Sequence, residues 1–381
     1  MLKTIYPVNV FHQRAWKMKD ILLINNKAKG TGIGTYSYNL YDTLKTMSKR
    51  KIDFLTLKAH SKENDNSVIG AVPQKIKKLL DHLNFMRSIS RSYRLYHILN
   101  PNLGMLLSRL RPSVVTVHDL AALVHSVSRQ VILQSCGLDI PLVLAMQVNM
   151  RFVKSADRII CMSHHTKKDL VSLLGIDQRR IVAVYPGIDR LLFRPRDKLK
   201  ARQSLKLPLN RQILLHVGTD EPRKNSKTLI EAFSLVKRKF PNAVLVKVGD
   251  MRGTTRRLIV TLGLEDAVIH YKKVADVATF YNAADLFVFP SYYEGFGYPA
   301  AEAMASGCPV IAGNSSSVTE VVGRGGLLFP PFDVAALREI IERALADQNM
   351  RSVMRQEGFE QAKQFDWNKC AEKTLETYNT L

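Results

Sequence analysis

Twice along this chain, short runs rich in Ile, Val and Leu alternate with segments of helical hydrophobic period, the pattern of a parallel sheet with crossover helices. No other feature limits the possible folds as strongly. In the first half the predicted strands are Asp20–Asn25, Ile52–Leu57, Leu95–Leu99, Val114–His118, Arg158–Met162 and Ile181–Val184. In the second they are Ile213–Val217, Ala243–Val248, Val268–Tyr271, Leu286–Pro290, Pro309–Ala312 and Gly326–Phe329. The expected fold class is α/β, with two doubly wound, Rossmann-like domains. In open sheets of this kind ligands sit outside the carboxyl ends of the strands, so two facing sheets share one central cleft lined by their loops.

A length of 381 residues suits two domains better than one core. Tyr185-Pro-Gly-Ile-Asp-Arg-Leu-Leu-Phe-Arg-Pro and the charged stretch after it read as the connection. The predicted division is 1–185 for the amino-terminal domain, 186–210 for the linker and 211–381 for the carboxyl-terminal domain. Met18-Lys-Asp-Ile-Leu-Leu-Ile is a natural first strand, so residues 1–17 read as an extension or a misassigned start.

Hydrophobic content of 46% with 23% charged residues is that of a chain folded throughout. The cysteines at 136, 161, 308 and 370 have neither disulfide-framework nor zinc-ligand spacing and read as reduced thiols in a cytoplasmic protein. The most apolar long window, Val131 to Met150, is broken by Gln134, Asp139, Pro141 and Gln147, so no membrane-spanning helix is expected. Asn9, His12, Gln13 and Arg14 interrupt what a signal peptide would need.

The net charge of +23 is uneven: 28 basic against 11 acidic residues up to Tyr185, and 28 against 22 after it. Such a field favours polyanionic partners without choosing among them. From Pro73 to Arg87, Ile76, Leu79, Leu80, Leu83 and Met86 recur at helical spacing beside Lys75, Lys77 and Lys78. That pattern fits a helix lying on an anionic membrane and equally a packed surface helix with a solvated basic face. The first reading places the protein peripherally at the cytoplasmic face of a membrane, with a lipid-linked or phosphorylated acceptor. A nucleic-acid-binding role would also suit the charge. It is disfavoured because no aromatic RNA platform or recognition helix stands out and the loop carboxylates would repel a phosphate backbone.

The strongest local feature is Phe289-Pro-Ser-Tyr-Tyr-Glu294-Gly295-Phe296-Gly297-Tyr298-Pro299-Ala-Ala-Glu302. A buried strand ends at Pro290, a loop with two glycines follows, and a helix starts near Pro299, since proline suits a helix's first turn. Backbone amides and the positive dipole end of that helix form an anion site fit for a diphosphate. Glu302, one turn inside, is placed to accept from ribose hydroxyls, and Glu294 to hold sugar hydroxyls. Two solvated carboxylates flanking a plain turn would show the same spacing.

After the first strand of the same half comes Gly218-Thr-Asp-Glu-Pro-Arg223-Lys224-Asn225. Two cations before a helix cannot be serving its dipole, and a diphosphate is their natural counter-charge, although an exposed basic turn reads alike. In the first half, Lys29-Gly30-Thr-Gly32-Ile-Gly34 lets backbone approach a phosphate. It lacks the G-x-G-x-x-G spacing of a dinucleotide site, which disfavours hydride transfer. His118, at the end of a predicted strand, would face the cleft beside Asp119, although a lone histidine is more often structural than functional.

Together these stretches resemble the family-4 glycosyltransferases, retaining enzymes of GT-B architecture also described as glycosyl transferases group 1. The resemblance covers nearly all of the second domain and scattered points of the first. It implies a hexosyltransferase with catalytic His118, Glu294, Arg223 and Lys224, and with donor contacts from Gly32, Gly218, Gly295, Phe296, Gly297, Tyr298 and Glu302. His118 would touch the transferred sugar, and a terminal helix over 367–380 would cross back to the first domain. One departure stands out: many members carry Arg right after the glycine at 218, where this chain has Thr219, and Arg223 is the inferred substitute.

The implied reaction passes through same-face attack on an ion-pair-like state, with the leaving diphosphate accepting the acceptor's proton. No metal and no cofactor are expected, since cations and amides replace a bound metal and no Asp-x-Asp motif is present. The donor would be GDP-mannose or a UDP-hexose, and the lean to mannose rests on the Glu-Pro-Arg-Lys-Asn and Ser-Ser-Ser stretches. A nucleotide-sugar epimerase or glycan phosphorylase would share the phosphate site. Glu294→Ala is expected to abolish transfer and leave the fold intact.

Overall fold

The computed structural model describes residues 19–56, 85, 87, 89–121, 123, 124 and 148–381. The expected extension at 1–17 lies outside them, as does the basic helical pattern from Pro73 to Arg87 apart from Phe85 and Arg87.

Among the described residues the backbone forms two six-stranded sheets, parallel throughout. The first takes β1 (Lys19–Asn25), β2 (Ile52–Thr56), β3 (Tyr93–Ile98), β4 (Ser113–Val117), β5 (Arg158–Cys161) and β6 (Ile181–Ala183) in the order β2-β1-β3-β4-β5-β6. The second takes β7 (Gln212–Val217), β8 (Ala243–Val248), β9 (Val268–Tyr271), β10 (Leu286–Phe289), β11 (Val310–Gly313) and β12 (Gly326–Phe329) in the order β12-β11-β10-β7-β8-β9. Every predicted strand is present, with bounds shifted by at most two residues. Strands such as β4 and β8 are buried along their whole length because helices cover both faces, which is why they read as unbroken apolar runs.

The helices are α1 (Gly32–Met47), α2 (His164–Leu174), α3 (Lys198–Ser204), α4 (Ser226–Lys239), α5 (Gly253–Thr261), α6 (Val277–Ala283), α7 (Tyr298–Ala305), α8 (Ser316–Val322), α9 (Val334–Ala346), α10 (Gln348–Ala362) and α11 (Trp367–Tyr378). Their starts carry the expected caps: Thr31 accepts from the Gly34 amide, Ser163 from Thr166, Asp333 from Ala336 and Asp366 from Asn368. Cys161, Cys308 and Cys370 are free and buried, and burial pushes each thiol up to about 12, so these cysteines are packing residues.

Strand order reverses between β1 and β3 in one sheet and between β7 and β10 in the other. At such a switch point neighbouring loops diverge and leave a crevice. In the second sheet Leu214 pairs with Leu286 and Leu215 with Phe287, so the loops after β7 and β10 emerge side by side although about seventy residues separate them in sequence.

The two sheets are joined by one apolar cluster. It runs from Ile21, Tyr36 and Leu40 through Ile188, Phe365 and Ala371 to Phe296 and Ala300. Helix α11 lies against α1, and its Tyr378 hydroxyl stands 2.6 Å from Nδ1 of the buried His97, whose Nε2 is 2.8 Å from Thr116 Oγ1. Burial pushes His97 down to about 3, so the ring is neutral and both nitrogens need these partners.

Closer to the cleft, a Cβ on Gly295 would lie 1.8 Å from the His118 carbonyl oxygen, so the loop after β10 touches the loop after β4 as only glycine allows. Tyr293 crosses the same boundary, accepting from the Leu120 amide at 3.2 Å and donating to Asp169 at 2.8 Å.

Glu320, on α8, caps α2 of the opposite domain, accepting from the amides of His164 and His165 at 3.0 Å each and from the Tyr185 hydroxyl at 2.7 Å. Ser163 satisfies only the Thr166 amide, which leaves the first two amides of α2 open to a carboxylate.

Two substitutions test these joints in urea titrations. Gly295→Ala forces a carbon into the His118 carbonyl and should cost roughly 1–3 kcal/mol. Tyr378→Phe strips His97 of one partner and should cost about 1–3 kcal/mol. An unchanged midpoint for either would show that the contact is dispensable.

Candidate functional site

The segment after β7 begins at Gly218, whose amide donates to the Val248 carbonyl and whose carbonyl accepts from the buried Lys247. A single 3-10 turn over Pro222–Lys224 follows, and Asn225 then adopts φ +55°, ψ +39°, a left-handed conformation that Asn tolerates better than most residues. Asn225 is fastened on all sides. Its Nδ2 donates to the carbonyls of Pro290 and Pro331, and its Oδ1 accepts from Thr228 at 2.9 Å. This one side chain therefore ties together the segments after β7, β10 and β12.

So anchored, the turn aims Arg223 and Lys224 at the loop after β10. Arg223 Nη1 donates to Glu294 Oε2 at 2.7 Å and Lys224 Nζ donates to Oε1 at 2.6 Å. Glu294 is buried, with only 7% of its surface exposed. Burial by itself would raise its pKa, but Lys224 and Arg223 outweigh that and hold it below the usual carboxylate range. Burial likewise disfavours charge on Arg223, and Glu294 with Glu221 more than restores it. The cation expected to stand in for the missing Arg thus reaches the same carboxylate as Lys224. Thr219, in the vacated position, donates to Glu221 at 3.1 Å, and Glu221 in turn accepts from Arg223 Nε at 2.8 Å.

This geometry revises one expectation. Removing the Glu294 carboxylate strands Lys224 and Arg223 against each other in a buried place, and breaking such a pair costs about 3–5 kcal/mol. Glu294→Ala therefore perturbs the fold as well as the chemistry, and Glu294→Gln is the cleaner variant.

Helix α7 starts at Tyr298 with Pro299 in its first turn, and Gly297 before it has φ +102°. The approach to that start is moulded from the other side. Ser316, itself at φ +47°, accepts from the Glu294 amide at 2.9 Å, and Ser317 donates to the carbonyls of Glu294 and Phe296 at 2.8 and 3.0 Å. Phe296 and Tyr298 do not aim their rings at open space: Phe296 is packed edge-on against Tyr298 and Phe365 in the core. Phe296 thus brings only backbone to a ligand. The Tyr298 hydroxyl is buried with no hydrogen-bond partner among the described residues.

Glu302 stands apart from the ion triad and accepts from the Tyr281 hydroxyl at 2.9 Å. Burial pushes its carboxyl up to about 7, with Tyr281 opposing. Across the cleft, His118 Nε2 lies 2.9 Å from the Leu99 carbonyl and therefore donates to it, which leaves Nδ1 as the accepting nitrogen of a neutral ring. Burial lowers its pKa, while the Leu99 carbonyl and Asp119 pull the other way. Its ring meets Tyr36 edge-on at 5.1 Å. Gly32 is the first residue of α1, and a Cβ there would meet nothing within 4 Å; in that loop it is Gly34 that sterics demand, 1.9 Å from the Ala28 carbonyl.

The structure therefore gathers Gly218, Arg223, Lys224, Glu294, Gly295 and His118 into adjoining loops, with Gly297 and Tyr298 at the helix start and Glu302 behind it. Sequence reasoning gives no role to Tyr293, and it uses Asn225, Ser316 and Ser317 only as parts of family-like stretches, without the bonds they make here.

Comparisons with known proteins bear on the fold and the family. The model of the family described as glycosyl transferases group 1 matches residues 197–361, and that of glycosyltransferase family 4 matches residues 31–190. O-antigen chain mannosyltransferase B of Escherichia coli is 29% identical over 384 residues, covering 92% of this chain and 96% of that protein. D-inositol 3-phosphate glycosyltransferase 2 of Catenulispora acidiphila is 33% identical over 242 residues, covering 60% of this chain and 57% of its own length. Among solved structures, sucrose-phosphate synthase of Thermosynechococcus elongatus aligns with a TM-score of 0.76 at 24% identity, covering 95% of this chain and 98% of that one. HepE of Anabaena, solved with UDP and glucose, aligns at 0.72 and 20% identity, covering 95% and 100%. At such identities the solved structures speak for the fold, while the two family models fall one on each half of the chain. The chain belongs to the family-4 glycosyltransferases and is a hexosyltransferase built on two Rossmann-like domains of the GT-B fold.

Proposed function

We propose that this enzyme transfers a hexose, with retention at the anomeric carbon and without a metal ion, from a nucleoside-diphosphate sugar to a hydroxyl of a lipid-linked or glycan acceptor. The observation that carries the reading is the convergence of Arg223 and Lys224 on one buried carboxylate beside the start of α7. Glu294 and Glu221 between them offset the two cations in the free enzyme, so a diphosphate is held by the hydrogen-bond donors that Arg223 and Lys224 have left. Lys224 gives one hydrogen bond to Glu294, and Arg223 uses Nε and Nη1, which leaves Nη2.

In the transfer step the bond from the anomeric carbon to the diphosphate oxygen breaks, and its electron pair stays with that oxygen. The acceptor hydroxyl oxygen bonds to the carbon from the same face, and its proton passes to the departing diphosphate oxygen. Arg223, Lys224 and the backbone amides leading into α7 stabilise the charge that grows there, in a place where burial strengthens every electrostatic contact. Glu294 is left to orient sugar hydroxyls, and the Nδ1 lone pair of His118 accepts from a hydroxyl of the transferred sugar. Glu302 accepts from the ribose.

Mannose, carried as GDP-mannose, is the favoured hexose because the Escherichia coli protein similar along its whole length is a mannosyltransferase; a UDP-hexose is the alternative donor. The excess of positive charge before Tyr185 favours a phosphorylated or membrane-borne acceptor. Among the described residues no helix is long and apolar enough to cross a bilayer.

Transfer from GDP-mannose and from UDP-hexoses, measured with excess chelator, should proceed undiminished. Lys224→Met should lower turnover roughly 10²–10³-fold. Complete loss with chelator would overturn metal independence, and full activity in Lys224→Met would overturn the phosphate role.

Glu302 offers a pH test. Its folded pKa of about 7 lies above the usual 4.5, so its contribution to stability is present below 4.5 and is lost as pH rises through 7. Ribose hydroxyls donate best to the ionised form. Nucleoside-diphosphate affinity, followed by calorimetry from pH 6 to pH 8, should therefore rise more steeply in the wild type than in Glu302→Gln, a comparison that cancels the titration of the phosphate itself. Parallel curves would remove Glu302 from ribose recognition.

A further inference from the structure

A groove of about 820 Å³ opens beside the segment after β7, between the starts of α4 and α5. Arg223, Lys224, Glu294 and His118 do not line it, and it adjoins the site described above through Glu221 and Asn225, which support the two cations from behind. Its volume lies toward the upper end of the roughly 300–1,000 Å³ typical of small-molecule sites.

Two aromatic rings form one wall. Phe332, on the loop after β12, is 61% exposed, and its ring centroid lies 5.2 Å from that of Tyr292, tilted by 38°. An exposed phenylalanine alone would mean little, but here the pair faces a polar rim. That rim carries Asp220, Glu221 and Glu231 on the acidic side and Lys227, Arg252 and Arg257 on the basic side. In a chain of net charge +23 this is a locally balanced surface. An anion entering it meets three carboxylates and a cation meets three bases, so neither is favoured. Asp220 remains an acceptor: burial raises its pKa, but the hydroxyls of Ser226 and Thr255 and the Arg252 amide bring it below the usual range.

Dense donors and acceptors without net charge, set against an apolar aromatic face, match a ligand with hydroxylated edges and a C–H face. We propose that this groove binds a neutral oligosaccharide of two or more hexose units, at a place distinct from the transfer site. The inference does not depend on the donor assignment, because binding is read without turnover. Tyr292 also links the groove to the site: its amide donates to the Arg223 carbonyl at 2.9 Å.

The test uses the full chain with its donor site filled by a saturating nucleoside diphosphate. Manno-oligosaccharides and malto-oligosaccharides of three to six units are titrated by calorimetry and by saturation-transfer NMR. One series should bind, and Phe332→Ala and Arg257→Ala, both changes at exposed side chains, should each weaken it at least fivefold. Lys224→Met should leave it unchanged. Binding by neither series, equal binding in Phe332→Ala, or displacement by the nucleotide would overturn the proposal.

Discussion

A carboxylate with 7% of its residue surface exposed, held between an ammonium and a guanidinium, organises the second domain's end of the cleft. Burying any of these three charges alone would be costly, and burying them together is tolerable only if each finds its partner within hydrogen-bond distance. The surrounding devices serve that requirement. Asn225 fixes the turn that delivers both cations, and Ser316 and Ser317 fix the loop that delivers the acid. The side-by-side exit of both loops follows from the adjacency of β7 and β10, so the site rests on strand order before it rests on any side chain.

How much of this was legible in the sequence depends on the range over which each feature is encoded. A strand covered on both faces, such as Ser113–Val117 or Ala243–Val248, announces itself within five or six residues, and the strand set was readable throughout. The start of α7 was readable too, because Pro299 and the glycines before it are local signals. Glu320 sits on one helix and caps another some 155 residues earlier. Nothing near Glu320 in the chain distinguishes the two helices; only the facing of the domains does. The cross-domain bonds of Tyr293 and the contacts of the α8 serines with the loop after β10 are illegible for the same reason. A loop aromatic such as Phe296 reads alike whether it greets a ligand or fills the core, and here the core claims it.

Charge is distributed to different ends in different places. The first half carries the excess of basic residues, the triad around Glu294 is a concentrated ionic site, and the groove beside Phe332 is balanced. A net figure for the whole chain conceals this division. Fields act over roughly a Debye length in solution, about 8–10 Å, so what a ligand meets is the local arrangement.

The contact between Gly295 and the His118 carbonyl has a mechanical consequence. Glu320 on α2 and Tyr293 on Asp169 lie on the same boundary, so beside the shared apolar cluster the two halves are also fastened along a short line next to the chemistry. A line of this kind acts as a fulcrum. Tilting one half against the other about it would sweep the outer rims through a long arc while the histidine and the acid kept nearly the same separation. Admission of a bulky acceptor at the rim and preservation of the geometry at the centre then cease to be competing demands.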